Sequence, residues 1–233
     1  MILYGRNPVR EALRARRRTI AEVWATERTI SREESWLRSA GPRIVSPEEI
    51  ERRSGSPDHQ GVCADAGGYP FVSAPELLAV QDPFIIALDE LQDPQNLGAI
   101  ARSAECAGVT GMVICERRAA TVTPAVAKAS AGAIEHLRTA RVRNMADFLA
   151  DAKQSGAWCY GADGAATTSY DEPDYSGGVV LVMGAEGTGL RPRVAKSCDA
   201  LVALPLRGRT ESLNASAAAA ILMYEIVQRR RIA

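Results

Sequence analysis

Three short runs of this 233-residue chain place amide, carboxylate, guanidinium and glycine residues where chemistry is possible. The first, Asp93-Pro-Gln-Asn96-Leu-Gly-Ala-Ile-Ala-Arg102, follows the apolar segment Phe84–Leu88. Open α/β sheets hold their ligands just beyond the carboxyl ends of strands. At 100° per residue Arg102 lies about 140° from Leu97 and about 200° from Ile100, away from the apolar stripe. It is either a solvated arginine or one that faces a ligand. The second run, Gly184-Ala-Glu186-Gly-Thr-Gly189, follows the apolar segment Val179–Met183. Glycines after a strand allow close backbone approach and expose amide donors. The run is no P-loop, because Leu190-Arg191 stands where Lys-Ser/Thr is required, and its G-x-x-G-x-G order is not the dinucleotide fingerprint. A plain turn stays open, although a carboxylate enclosed in a tight glycine loop is costly for one. The third, Leu204-Pro-Leu-Arg-Gly-Arg-Thr-Glu-Ser-Leu213-Asn214-Ala-Ser216, reads as strand end, polar loop and helix start with Ser212 as cap.

The elements that must position these runs alternate. Residues 1–68 read as a small α/β unit: a helix capped by Asn7 with Pro8 in its first turn, a strand Ile20–Ala25, a helix opened by Ser31 with Glu34 at the capping-box spacing, a strand Arg43–Val45, a helix capped by Ser46, and a strand Gly61–Ala64. Residues 69–83, rich in Gly and Pro, are expected to be a linker. From 84 to 233 the pattern is a longer α/β alternation. Its strands are Phe84–Leu88, Gly111–Cys115, Leu137–Val142, Trp158–Tyr160, Val179–Met183 and Leu201–Leu204. Helices lie between them, and an alanine-rich helix of about 18 residues from Leu213 closes the chain. Continuous apolar strands alternating with helices predict an α/β fold with a mainly parallel sheet covered on both faces.

Composition narrows the class. The chain carries 28 basic and 28 acidic residues and is 46% hydrophobic, enough for a core and incompatible with a disordered chain. No apolar stretch is long enough to span a membrane. The charged N-terminus has no apolar signal core, and five cysteines without a CxxC fit buried thiols of a cytoplasmic protein better than disulfides or a metal site. The zero net charge hides a skewed distribution. Residues 1–18 hold six arginines and one glutamate, whereas Ser54–Ile100 holds seven acids and no Lys or Arg. Clustered arginine is either a solvated helix face or the footprint of a polyanion partner.

In their order and spacing the three runs resemble the three motifs of the SpoU (TrmH) family of RNA ribose 2′-O-methyltransferases. The likeness covers residues of about 84–231. The opening Tyr4-Gly-Arg-Asn-Pro-Val-Arg-Glu-Ala-Leu13 and His59-Gln-Gly-Val62 resemble the small N-terminal substrate-binding domain, similar to ribosomal protein L30e/L7Ae, of ribosomal members. The subgroup it resembles most methylates a guanosine ribose in 23S ribosomal RNA, while the charged tip Arg207–Glu211 departs from the pattern. The resemblance implies S-adenosylmethionine as cofactor, no metal, ribosomal RNA as partner, a homodimer with sites built partly at the subunit interface, and a deep trefoil knot in a SPOUT-type C-terminal domain. It implies that Gly184, Leu204 and Leu213 cradle the cofactor by backbone contact and that Asn96, Arg102, Glu186 and Asn214 form the catalytic pocket. A tRNA ribose methyltransferase, a resistance methyltransferase and a non-catalytic RNA-binding or ribosome-assembly protein are the rival readings.

Overall fold

The computed structural model describes residues 1–32, 35–210 and 212–232, with side chains through Arg230. In chain order the first elements are β1 (Ile2–Tyr4), α1 (Arg6–Ala15), β2 (Ile20–Ala25), α2 (Glu27–Arg32), α3 (Ser35–Ser39), β3 (Arg43–Ile44), α4 (Pro47–Ser54) and β4 (Val62–Ala66). They continue with α5 (Ala74–Leu78), β5 (Phe84–Leu88), α6 (Pro94–Cys106), β6 (Gly111–Cys115), α7 (Pro124–Ala129), β7 (Thr139–Val142) and α8 (Met145–Gln154). The last are β8 (Trp158–Ala162), β9 (Thr168–Ser169), β10 (Val179–Met183), α9 (Pro192–Ser197), β11 (Ala200–Ala203) and α10 (Ala215–Ile232).

The chain forms two compact units, one of residues 1–70 with 122–136 and one of 71–121 with 137–233. The first contains a four-stranded sheet of order β1-β4-β2-β3 in which only β2 and β3 are parallel. Segment 122–136, which the sequence division places within 84–233, belongs to this unit. It carries α7 and the 3₁₀ turn Ala133–Glu135, and it buries Val126, Ala127 and Ile134 completely. The Tyr69 hydroxyl donates to the Ile134 carbonyl at 3.0 Å. Arg18 reaches the buried Glu135 carboxylate with Nε at 2.9 Å and with Nη2.

Local details correct several sequence expectations. Helix α1 starts at Arg6, one residue before the expected Asn7 cap, because Gly5 at φ 93° is its N-cap. That backbone region favours glycine over asparagine. Ser31 does not open a helix: it lies in the last turn of α2, its hydroxyl donating to the Arg28 carbonyl at 3.0 Å, and Glu34 lies outside the described residues. Ser46 does cap α4, accepting from the Glu49 amide at 3.3 Å. The expected linker contains α5, closed by a Ser73–Glu76 capping box. Cys63, Cys115 and Cys159 are buried as expected, but Cys198 is only half-buried and Cys106 is exposed.

The second unit is built on a seven-stranded sheet of order β7-β6-β5-β10-β8-β11-β9, every neighbouring pair parallel. Its central strands β5, β6 and β10 are buried along their whole length, which requires the continuous apolar runs seen in the sequence. Residues such as Ile85, Val113 and Val180 are fully buried in its core. Each contributes about 1.5–3 kcal/mol of hydrophobic stabilisation. Helices α6 and α10 pack against each other. Among the described residues no helix is long and apolar enough to cross a membrane.

Candidate active site

The carboxyl ends of β5 and β10 lie side by side, since Leu88 pairs with Met183, and each opens into one of the chemically marked runs. After β5, Asp93 caps α6 by accepting from the amides of Gln95 (2.9 Å) and Asn96 (3.3 Å). This cap holds Asn96 in the first turn, 5% exposed. After β10 the chain folds back at once: Ala185 and Gly189 form an antiparallel bridge with hydrogen bonds of 3.1 and 2.9 Å. A Cβ on Gly184 would stand 2.1 Å from the Gly189 carbonyl carbon, so no other residue fits there. Gly187 (φ 79°) and Gly189 (φ 67°) supply the left-handed backbone that closes the loop and puts Glu186 at its tip.

Three side chains from the three runs meet. Asn96 Nδ2 donates to Glu186 Oε2 at 3.0 Å, and Asn214 Nδ2 donates to Asn96 Oδ1 at 2.9 Å and to Glu186 Oε1 at 3.3 Å. Asn214, not the expected Ser212, starts α10: its Oδ1 accepts from the Ser216 amide (2.8 Å), the Ser216 hydroxyl (2.6 Å) and the Ala217 amide (3.3 Å). With its oxygen committed to these donors, the Asn214 amide nitrogen must face Glu186 and Asn96. The network is closed, each member fixing the orientation of the next.

Beside it lies a cavity of about 610 Å³, within the range of small-molecule sites. Gly184, Glu186, Leu204, Leu213 and Asn214 are among its walls, with Asp163, Thr188 and Ser212 adding polar groups and Met183, Val202 and Leu222 adding apolar surface. The walls include two carboxylates and no Lys, Arg or His among the described residues. Asn96 touches the site through Glu186 and is not itself a wall. Arg102, six residues further along α6, is exposed, forms no ion pair or hydrogen bond among the described residues, and is also absent from the walls. The structure therefore gathers six of the seven expected site residues and leaves Arg102 apart in the single chain.

One ion pair that supports the site went unread in the sequence. The Asp89 carboxylate, fully buried, accepts from the Arg191 amide (3.1 Å), Nε (2.9 Å) and Nη2 (2.5 Å), while Arg191 Nη1 reaches Glu90 at 2.8 Å. Asp89 also donates its amide to the Met183 carbonyl at 2.8 Å. These bonds tie both ends of the Gly184–Leu190 loop to the end of β5. The acid and the arginine are 102 residues apart, and nothing in their local spacing pairs them.

Similarity to known proteins agrees with this geometry. Residues 83–224 match the SpoU rRNA Methylase family, and residues 2–72 match the family described as RNA 2′-O ribose methyltransferase substrate binding. A Bacillus subtilis (strain 168) protein named as a TrmH family tRNA/rRNA methyltransferase, YacO, is 37% identical over 97% of this chain and 94% of its own length. The fold matches the SpoU methyltransferase AviRb of Streptomyces viridochromogenes, with a TM-score of 0.83 at 22% identity over 100% of this chain and 91% of that one. It also matches an AdoMet-bound rRNA methyltransferase of Sinorhizobium meliloti, with a TM-score of 0.80 at 25% identity over 97% and 86%. On the family match over more than half of its length and a full-length relative, the chain belongs to the SpoU (TrmH) family of RNA methyltransferases.

Proposed function

We propose that the protein methylates a ribose 2′-hydroxyl of ribosomal RNA, a guanosine of 23S ribosomal RNA being the specific substrate, with S-adenosylmethionine as donor. The observation that carries the donor assignment is the cavity beside the Asn96–Glu186–Asn214 network, whose walls hold two carboxylates and no cation among the described residues. Phosphate-bearing cofactors need cationic or free helix-terminal partners, and at the α10 N-terminus the Ser216 and Ala217 amides are already taken by Asn214 Oδ1. A sulfonium with an ammonium group needs acceptors and apolar contact, which this cavity offers. The backbone at Gly184, Leu204 and Leu213 would hold the donor, which when bound supplies an electrophilic methyl group.

The side chains divide the remaining work. Glu186, held by two amide donors, fixes the loop that forms the cavity wall. Arg102 binds the phosphate next to the target ribose bidentately and so aligns the hydroxyl. A guanidinium stays charged at any physiological pH and is a poor base, so the proton leaves to a phosphate oxygen or a polar neighbour. The position of Arg102 away from its own chain's cavity supports a homodimer in which it serves a site shared between subunits. The exposed Ile221 (43%) and Tyr224 (51%) of α10 favour the same reading. The trefoil knot and a cytoplasmic location belong to this proposal as well. Family membership supports both, and the insertion of β10 between β5 and β8 in an all-parallel sheet supports the knot.

Transfer of radiolabelled methyl groups from S-adenosylmethionine to unmodified 23S ribosomal RNA and to tRNA tests the activity and separates the two substrates. Mapping 2′-O-methyl sites in RNA from cells with and without the protein then identifies the nucleotide. RNA binding without methyl transfer to either RNA would favour the non-catalytic assembly protein.

A further inference from the structure

Most of the large apolar side chains that the second unit leaves exposed already have a place. Leu206 and Leu213 line the cavity at the end of β10, and Ile221 and Tyr224 lie on α10. Trp158, the first residue of β8, has none, and it is 56% exposed. Tryptophan carries a large apolar surface, so leaving it in water forgoes the stabilisation that its neighbours in the sheet obtain by burial. Trp158 pairs with Val179, the first residue of β10. It therefore stands at the amino end of the parallel sheet, away from the carboxyl end where the three marked runs meet.

The ring is the outer layer of a fixed aromatic stack. Trp158 lies nearly parallel to Tyr160, at 21° with centroids 6.5 Å apart, and Tyr160 meets Tyr175 edge-on at 4.8 Å. Tyr160 and Tyr175 are buried, and their hydroxyls donate to the carbonyls of Asp174 (2.9 Å) and Tyr170 (2.6 Å). These bonds pin the 170–175 segment beside the stack. Against it opens a cavity of about 490 Å³, with Trp158, Tyr160, Thr168, Glu172 and Asp174 among its walls. The walls hold two exposed carboxylates and no Lys, Arg or His among the described residues. Among those residues Glu172 forms no ion pair or side-chain hydrogen bond, and the Asp174 carboxylate accepts only from Ser176, its amide at 2.9 Å and its hydroxyl at 3.0 Å. Arg229, which reaches the same segment from α10, is taken by Glu225 and by the Asp171 carbonyl, each at 2.7 Å. The cavity thus presents a tryptophan face and two carboxylates that no described residue neutralises.

We propose that this cavity binds an arginine side chain of a basic polypeptide, its guanidinium flat on Trp158 and within reach of Glu172 and Asp174. Arginine satisfies both halves of the site at once: its delocalised cation stacks on an indole face, and its fork of donors matches carboxylates. A phosphate chain would meet two negative charges, and an apolar segment would strip water from both carboxylates without pairing them. The cavity lies at the other end of the strands from the one beside Glu186, so the two can be filled independently. The partner is therefore a protein segment rich in arginine, bound by a surface that takes no part in the chemistry.

The test uses the full-length protein and a short fluorescein-labelled peptide of alternating arginine and glycine, with binding followed by anisotropy at low salt. Trp158→Ala is expected to weaken binding about tenfold, whereas Trp158→Phe keeps most of it, because a phenyl ring still faces the cation. The double variant Glu172→Gln/Asp174→Asn should also lose about tenfold and should flatten the salt dependence. A lysine version of the peptide should bind the wild type more weakly, since an ammonium has no flat face to stack. Wild-type binding no tighter than about 1 mM, or equal binding by the wild type and all the variants, would overturn the proposal. So would a loss of oligouridine affinity in Trp158→Ala with peptide affinity kept, which would make the ring a platform for bases. A changed oligomeric state in the same variant would make this face an interface between copies and overturn it too. Peptide binding is read without methyl transfer, so the proposal stands or falls separately from the enzymatic reading.

Discussion

The cavity at the end of β10 and a groove on the first unit are opposites in charge. Among the described residues the cavity has Asp163 and Glu186 in its walls and no cation, while the groove has Arg6, Arg10, Arg28 and Arg32 and no carboxylate. A chain with 28 positive and 28 negative side chains has sorted them, so its net charge of zero describes neither site. The acidic cavity suits a cationic methyl donor, and the basic groove lies in the part of the chain that matches the substrate-binding family. A second contrast lies among the arginines themselves: Arg17 and Arg18 hold the fold of the first unit, whereas Arg28 and Arg32 stand exposed on α2.

The largest expected effect breaks the catalytic half of this comparison. Arg102→Ala should lower methyl transfer by about 10²- to 10³-fold, the scale for losing one positioned charge-stabilising group. Calorimetric binding of S-adenosylmethionine should stay nearly intact, and equal loss of both would exclude a substrate-aligning role. Mixing Arg102→Ala with Glu186→Ala subunits should restore part of the activity if the two residues serve one site from different subunits. No recovery in verified mixed dimers would place them in one chain.

Gly184→Ala comes next. The added methyl meets the Gly189 backbone, which cannot swing aside like a side chain. The second unit should lose about 3 kcal/mol in denaturant unfolding, and cofactor binding should disappear with the loop. Arg18→Met should destabilise the first unit by about 3 kcal/mol, since it strands the buried Glu135 carboxylate. Adding Glu135→Leu should recover much of that loss. Failure to recover would mean that the pair provides more than mutual neutralisation. The smallest effect concerns the thiols. Brief iodoacetamide treatment of the native protein should label Cys106 first, because it is exposed. Burial, the largest cause, pushes Cys63 up to about 11 and Cys159 to about 12, leaving both protonated and shielded at neutral pH. Early labelling of Cys159, read by peptide mass, would show that its part of the sheet opens.

Much of the second unit was legible in the sequence. Val179–Met183 is a strand with the expected bounds, because a five-residue apolar run flanked by glycines has little choice but a buried strand. The candidate site residues on the glycine loop and at the start of α10 stood out for a related reason: a loop that needs Gly184 cannot hide it. The helix caps were less legible. Asn7, Ser31 and Ser212 all have the right side chain for a cap, yet Gly5 and Asn214 took two of those places, because the cap falls where strand pairing and loop length leave the chain.

The sequence by itself determined the alternation of elements, the parallel sheet, the three marked runs and their family, since each depends on local periodicity or on residue types at fixed short spacing. Only the tertiary structure decided that Asn96, Glu186 and Asn214 share one hydrogen-bond network and that Asp89 anchors Arg191. It alone decided that residues 122–136 complete the first unit and that Arg17 and Arg18 are consumed there. Each of these depends on which distant surfaces are buried together. Pairing across 90 or more residues leaves no trace in the local pattern of either partner.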